Sequence, residues 1–109
     1  MAELCSLTCV PCKGGVPPLT DEEMAPLLKQ LDGWNVVDGH HLSKKHTFPD
    51  FVTALAFVNK IGVVAEEQGH HPDMFVTWGK VGIDIWTHKI DGLTESDFIL
   101  AAKIDALQR

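Results

Sequence analysis

Two tight-turn signals constrain the fold of this chain more than any other feature. Asp38-Gly39 and Gly79-Lys80 each separate two short runs rich in β-branched, aromatic and other apolar residues, a pattern that predicts a β-hairpin. Because the strands of a hairpin run antiparallel, the two pairs together predict an antiparallel sheet of four strands. The predicted strands are 34–37, 42–48, 74–78 and 81–88.

Helical patterns precede, separate and follow the two hairpins. The sequence Thr20-Asp21-Glu22-Glu23 is a capping box, and apolar residues then recur at helical spacing, although Pro26 predicts a kink or a later start. Gly69 is typical of the residue just past a helix end. The three helices are predicted from Thr20 to near Gly33, from Asp50 to Gly69, and from Thr94 to Leu107.

The order of these elements, α-β-β-α-β-β-α, predicts a single α+β domain. The economical arrangement is a four-stranded antiparallel sheet with all three helices packed on one face. The other face would stay partly apolar, with Trp86 projecting from it. Because such a face is often covered by a second copy of the chain, we expect a homo-oligomer.

Composition and charge argue against several classes of function. The 109-residue chain has a formal charge of −6 at pH 7, and its 9 basic residues are scattered, which argues against nucleic-acid binding. No apolar run approaches the roughly 20 residues that span a bilayer, and the start of the chain lacks a signal-peptide pattern. We therefore expect a cytoplasmic protein without nucleic-acid or membrane partners.

The three cysteines, Cys5, Cys9 and Cys12, lie near the start of the chain, ahead of a turn-rich Gly and Pro stretch. The spacing of Cys9 and Cys12 is that of half a zinc site or of a redox pair, but no second cysteine pair follows. We predict reduced surface thiols; the alternative is a metal or disulfide clip completed by Cys5 or a histidine. Residues 1–19 are accordingly predicted to form a flexible leader, and residues 20–109 a single folded domain.

The His70-His71-Pro72 corner is the feature that indicates chemistry. It joins the second helix to the third strand, whose antiparallel partner ends at His88, so three imidazoles should lie at one rim of the sheet. Glu66 and Asp97 lie at the neighbouring helix ends, where a carboxylate can fix an imidazole tautomer and raise its basicity. Such a cluster suits acid–base catalysis near neutral pH without a metal.

Two other interpretations of the corner stay open at this point. Three histidines suffice as ligands for catalytic zinc, but adjacent residues in extended geometry point to opposite sides, which disfavours one ion shared by His70 and His71. A His-Pro corner also occurs structurally, with the ring capping the preceding helix. A second doublet, His40-His41, follows the first hairpin turn and is expected to be solvated.

The order of several motifs resembles that of the pterin-4a-carbinolamine dehydratase family. The resemblance is carried by Glu66-Glu67-Gln68-Gly69-His70-His71-Pro72, Trp78, Thr87-His88, Gly92-Leu93-Thr94 and Asp97. The leader around Cys9 and Cys12 is similar to that of bacterial and plant members. The family has the α+β fold predicted above, and its members assemble as homodimers or homotetramers.

The resemblance implies a hydro-lyase. Its substrate would be 4a-hydroxytetrahydropterin, the carbinolamine that aromatic amino-acid hydroxylases produce, and its products quinonoid dihydropterin and water. The reaction delivers a proton to the leaving hydroxyl at C4a and takes one from N5 without redox change, so no cofactor and no metal are expected. The implied setting is tetrahydrobiopterin recycling, with an aromatic amino-acid hydroxylase in the same pathway.

The same resemblance implies roles for particular residues. His70 and His88 would handle protons, and His71 would bind and orient the pterin. The implied supporting or substrate-binding residues are Glu66, Pro72, Trp78, Thr87 and Asp97. A non-catalytic pterin-binding module, or an assembly or dimerization cofactor, is the alternative function, although such a module has no need for all three imidazoles.

Overall fold

Four strands form one antiparallel sheet in the order β1-β2-β4-β3 in a computed structural model that describes residues 4–9 and 17–108. The strands are β1 (Asn35–Val37), β2 (His41–Thr47), β3 (Asp73–Thr77) and β4 (Lys80–Ile85). The helices are α1 (Asp21–Leu28), α2 (Phe51–Gln68) and α3 (Glu95–Ala106), with short 3-10 helices at Leu4–Ser6 and His88–Ile90. The predicted α+β class and element order are confirmed.

The first hairpin has the backbone geometry that its sequence predicts. Asp38 and Gly39 have φ angles of 53° and 64°, and the His40 amide donates to the Val37 carbonyl at 2.9 Å. Positive φ at both central residues matches the right-handed twist of the flanking strands. The turn therefore sets the pairing of β1 with β2, in which Val37 lies opposite His41.

The core lies between one face of the sheet and the helices. Alternate residues of β2 and β4 point into it, as the period of a strand requires. Its fully buried members include Leu42, Val81, Ile83 and Ile85 of the sheet, Ala54 and Ile61 of α2, and Phe98, Leu100 and Ile104 of α3. On the opposite face of β3, Phe75 is 71% exposed, so this side of the sheet is uncovered in the monomer.

Two element boundaries differ from the sequence prediction. The first helix begins at Asp21, and Thr20 forms the predicted capping box with Glu23, but the helix ends at Leu28 rather than near Gly33. The fourth strand ends at Ile85, so the prediction that His88 lies in a strand is wrong. Strand pairing explains the second difference. The pairing of β4 with β3 ends at Asp84, and its pairing with β2 ends at Ile85.

The N-terminal segment 4–9 packs on the folded domain. Leu4 is 2% exposed and Cys9 is 6% exposed, so the prediction of a surface thiol is wrong for Cys9. A cysteine thiol behaves as a small apolar group, which favours this burial. Cys5 is half-buried, and Cys9 is a free thiol. Cys12 lies outside the described residues, and the boundary between leader and domain stays a prediction.

Candidate active site

The end of α2 sets the position of His70. Gly69 caps the helix with a left-handed φ of 62°, and the His70 amide donates to the Ala65 carbonyl at 3.2 Å. A residue with a Cβ atom is sterically strained at this positive φ. Glycine has no Cβ and therefore suits the position. Pro72 then favours an extended backbone at His71, so that the two imidazoles diverge.

His70 pairs with a buried carboxylate. Its Nε2 lies 2.5 Å from Oδ1 of Asp97, whose side chain is fully buried near the start of α3. Oδ2 of Asp97 accepts from the Thr87 hydroxyl and the Thr94 amide, both at 2.8 Å. An ionised carboxylate can only accept, so Nε2 of His70 carries a proton and Nδ1 is the basic nitrogen of the neutral ring.

His71 pairs with a carboxylate in the same way, but in solvent. Its Nε2 lies 2.5 Å from Oε2 of Glu66, and the two side chains are 62% and 78% exposed. An ion pair this exposed contributes about 0–1 kcal/mol. The two adjacent histidines are therefore held by different carboxylates, one buried and one solvated.

The third imidazole, His88, opens the second 3-10 helix and stacks on Trp86. The ring centroids are 4.3 Å apart and the planes 28° from parallel. Among residues 4–9 and 17–108, no hydrogen bond or ion pair of the His88 ring is found. The indole also contacts the rings of His40 and His41, with distances of 5.3 and 5.9 Å between the ring centroids.

The His40-His41 pair differs from its prediction. Both residues are half-buried, their Nδ1 atoms lie 3.0 Å apart, and Nε2 of His40 lies 2.6 Å from Oδ1 of Asp91. The expectation of two solvated rings is wrong, because Trp86 covers them.

The three predicted imidazoles line one cavity of about 340 Å³. The structure therefore brings the three histidines together around one cavity. A cavity of this size suits a small heterocycle, and its wall combines aromatic surface with proton donors and acceptors. The lining residues are Gly69, His70, His71, Trp86, Thr87, His88 and Lys89.

Not every predicted site residue reaches this cavity. Trp78 lies in the turn at the far end of β3, is 70% exposed and does not line the cavity. Since a strand rises roughly 3.3 Å per residue, the five residues of β3 separate Trp78 from Pro72 by about 20 Å. Pro72 shapes the corner without lining the cavity.

Sequence reasoning left Trp86 and Lys89 out of the site. The alternation of β4 placed Trp86 on the same side as His88, which was the available signal. Within the described ranges, no three His, Cys, Asp or Glu side chains are arranged to hold a metal ion. In the same part of the chain, no helix is long and apolar enough to cross a membrane.

Comparison with known proteins identifies the family. The model of the family described as pterin 4 alpha carbinolamine dehydratase matches residues 17–107. The chain belongs to the pterin-4a-carbinolamine dehydratase family. A relative of Rubrobacter xylanophilus that bears the provisional name of this dehydratase is 59% identical over 107 residues, covering 98% of this chain and 100% of its own. A similarly named protein of Rickettsia bellii is 55% identical over 112 residues, covering 99% of each chain.

Two solved structures of dehydratase-like proteins share the fold. A transcriptional coactivator/pterin dehydratase from Brucella melitensis is 37% identical with a TM-score of 0.77, and the match covers 83% of this chain and 97% of that one. A pterin dehydratase-like protein identified as a RuBisCO assembly factor in the alpha-carboxysome is 26% identical with a TM-score of 0.60, over 70% and 89% of the chains. Proteins with this fold therefore carry names of more than one function.

Proposed function

We propose that this protein dehydrates a 4a-hydroxytetrahydropterin to quinonoid dihydropterin and water. The observation that carries the proposal is the cavity in which three imidazoles converge, one of them backed by a fully buried carboxylate. Membership of the dehydratase family supports the same reaction. The proposed setting is cytoplasmic tetrahydrobiopterin recycling beside an aromatic amino-acid hydroxylase.

The elimination needs one proton donor and one proton acceptor. The C4a–O bond breaks as the hydroxyl takes a proton and leaves as water, and loss of the N5 proton forms the N5=C4a double bond. His70 suits the acceptor role, because Asp97 holds its Nε2 proton and stabilises the imidazolium formed when Nδ1 takes the N5 proton.

His88 suits the donor role. Its exposed ring can deliver a proton to the hydroxyl and regain one from water, while the ring stack on Trp86 fixes its plane. His71, held by Glu66 at the mouth of the cavity, would orient the pterin. Each positioned acid or base contributes about 10²- to 10⁴-fold to the rate.

The rate of dehydration of freshly generated 4a-hydroxytetrahydrobiopterin tests the proposal. We expect turnover well above the buffer rate for the wild type, a loss of about 100-fold or more in His70→Ala, and no change in Lys45→Ala, whose side chain is exposed on the open sheet face. A wild-type rate equal to that of buffer would refute the enzyme for this pterin. Pterin binding without turnover would favour the non-catalytic alternative.

We also propose that the protein is a homodimer or homotetramer. The outer side of α2 exposes apolar side chains that a monomer leaves in water, and Val52 and Val63 are 76% and 60% exposed. Leu55, 42% exposed, lies on the same side of the helix. Sedimentation of the wild type and of Val52→Lys/Val63→Lys tests this, since two lysines on that side should shift the assembly towards smaller species. Identical sedimentation of the two proteins would contradict an interface on α2.

A further inference from the structure

Cys9 joins the two helix ends that carry His70 and Asp97. Its backbone N–H donates to Oε1 of Gln68 at 2.9 Å, and its thiol donates to the carbonyl of Ser96 at 3.5 Å. Gln68 is the last residue of α2, two residues before His70, and Ser96 directly precedes Asp97 in α3. One residue of the N-terminal segment thus bonds to both sides of the gap that the His70–Asp97 contact spans.

The surroundings keep the Cys9 thiol in its donor form. Cys9 is 6% exposed, and Ser96 is 7% exposed. Burial raises the pKa of the thiol above its ordinary value of 9.0, Asp97 adds to the rise, and Lys103 opposes it. The protonated thiol at neutral pH can therefore donate to the carbonyl.

Two further bonds fix the start of the same segment. The Leu4 amide donates to Oε1 of Gln30 at 3.0 Å, and Nζ of Lys103 donates to the Cys5 carbonyl at 2.8 Å. Leu4 itself is buried in the core. The segment 4–9 is thus tied at its start to α3 and the turn after α1, and at its end to the pair of helix ends beside the cavity.

We propose that Cys9 is a positioning residue. It keeps the end of α2 and the start of α3 at the separation at which the Nε2–H of His70 donates to Asp97. Its effect on turnover rests on the proposed dehydratase function. Its effect on the His70–Asp97 contact does not, and can be measured without substrate.

The test uses two disruptive variants and their conservative partners. Cys9→Ala removes the thiol donor, and Gln68→Ala removes the acceptor of the Cys9 amide. Cys9→Ser keeps a hydroxyl donor, and Gln68→Glu keeps an acceptor. ¹⁵N imidazole spectra report the exchange of the His70 Nε2 proton with water, and the solvated His71–Glu66 pair serves as an internal reference.

We expect the exchange of the His70 proton to accelerate about five-fold in each alanine variant. This is the factor that corresponds to the free energy of one typical hydrogen bond. The exchange should stay near the wild-type rate in the serine and glutamate variants, and kcat should fall in parallel with little change in KM. A purely structural role would lower Tm and leave the exchange and kcat unchanged well below Tm, which would overturn the proposal. Faster exchange in a protein that fails to dehydrate the pterin would support the positioning role and refute the proposed function.

Discussion

His70 and Asp97 meet across the gap between the end of α2 and the start of α3, with 2.5 Å between Nε2 and Oδ1. Asp97 is completely buried there and accepts two further hydrogen bonds, from Thr87 and Thr94. The neighbouring His71–Glu66 pair has the same distance but lies in solvent. A hydrogen bond to a charged group gains strength when water is excluded. The loss of the buried pair should therefore lower kcat much more than the loss of the solvated pair.

Asp97→Asn should lower kcat by about 10- to 100-fold, since a hydrogen bond to a charged group contributes about 1.5–3 kcal/mol. The amide keeps the shape of the side chain but cannot accept from all three donors, and it no longer stabilises an imidazolium at His70. Steady-state kinetics of pterin dehydration, measured well below the Tm of the variant, checks this.

Glu66→Gln is the matched control for Asp97→Asn, because it alters the solvated pair in the same chemical way. We expect a loss of about five-fold or less, as exposed ion pairs contribute about 0–1 kcal/mol. Equal losses in the two variants would contradict the distinction between the buried and the solvated pair.

Trp86→Leu should lower kcat by about 2- to 10-fold, because an aromatic pair contributes about 0.5–1.5 kcal/mol beyond the burial of its surface. Without the indole, the His88 ring loses the stacking partner at 4.3 Å. Trp86→Phe should retain most of the activity. The loss of ring-current shifts at His88 in the NMR spectrum of the leucine variant measures the release of the ring directly, and unchanged shifts would contradict the stack.

His46 should make the protein sensitive to mild acid. The ring is 6% exposed beside Phe48 and Phe57, and within the described part of the chain neither of its nitrogens has a hydrogen-bond partner. Burial lowers the pKa of His46 below its ordinary value of 6.5 and Lys44 lowers it further, while the Asp105 charge and a side-chain contact with Gln108, which lacks hydrogen-bond geometry, oppose this. The unfolded chain therefore binds a proton at a pH where the folded chain does not. The contribution of neutral His46 to the free energy of unfolding is fully present above pH 6.5. It falls as the pH drops below that value towards the pKa of His46 in the folded protein.

His46→Phe should remove that acid sensitivity and raise the free energy of unfolding by about 1–3 kcal/mol at pH 7, because it replaces an unpartnered buried polar ring with an apolar one. Urea denaturation at a series of pH values from 7 to 5 measures both effects. The same decline with pH in the variant and the wild type would show that another group causes it.

Asp105→Ala should destabilise the fold by about 3–5 kcal/mol, the usual cost of removing one partner of a buried charged network. Asp105 is 4% exposed and accepts from the Trp34 indole at 2.9 Å, the Asp32 amide at 3.0 Å and the Lys44 ammonium at 3.0 Å. Glu95→Ala, which alters an exposed carboxylate of the same helix, should cost far less. Urea denaturation of both variants checks the difference, and similar losses would contradict the network.

Local patterns were enough to predict the order of the elements. The Asp38-Gly39 turn, the Thr20 capping box and the Gly69 helix end are all encoded within a few residues, and each lies where the pattern placed it. The convergence of His70, His71 and His88 also followed, because strand pairing brings the end of β4, shortly before His88, close to the start of β3.

Features that depend on contacts distant in sequence were not predictable in this way. The buried thiol of Cys9 donates to Ser96, 87 positions away. The buried carboxylate of Asp105 accepts a hydrogen bond from Trp34, 71 positions away. The alternating pattern of β4 continued past Ile85, but the pairing with β2 ends at Leu42–Ile85 and the pairing with β3 ends at Asp73–Asp84. Trp78 satisfied a motif, yet it lies in the turn after β3, at the other end of the hairpin from the histidines.

Acid–base catalysis by His70 and His88 is tested by the single-turnover rate of 4a-hydroxytetrahydrobiopterin dehydration, measured for the wild type and for His70→Ala/His88→Ala at equal pterin occupancy. We expect the double variant to bind the pterin but to dehydrate it at the buffer rate, because the proposed donor and acceptor are both absent. Full activity in the double variant would contradict acid–base catalysis by these two histidines.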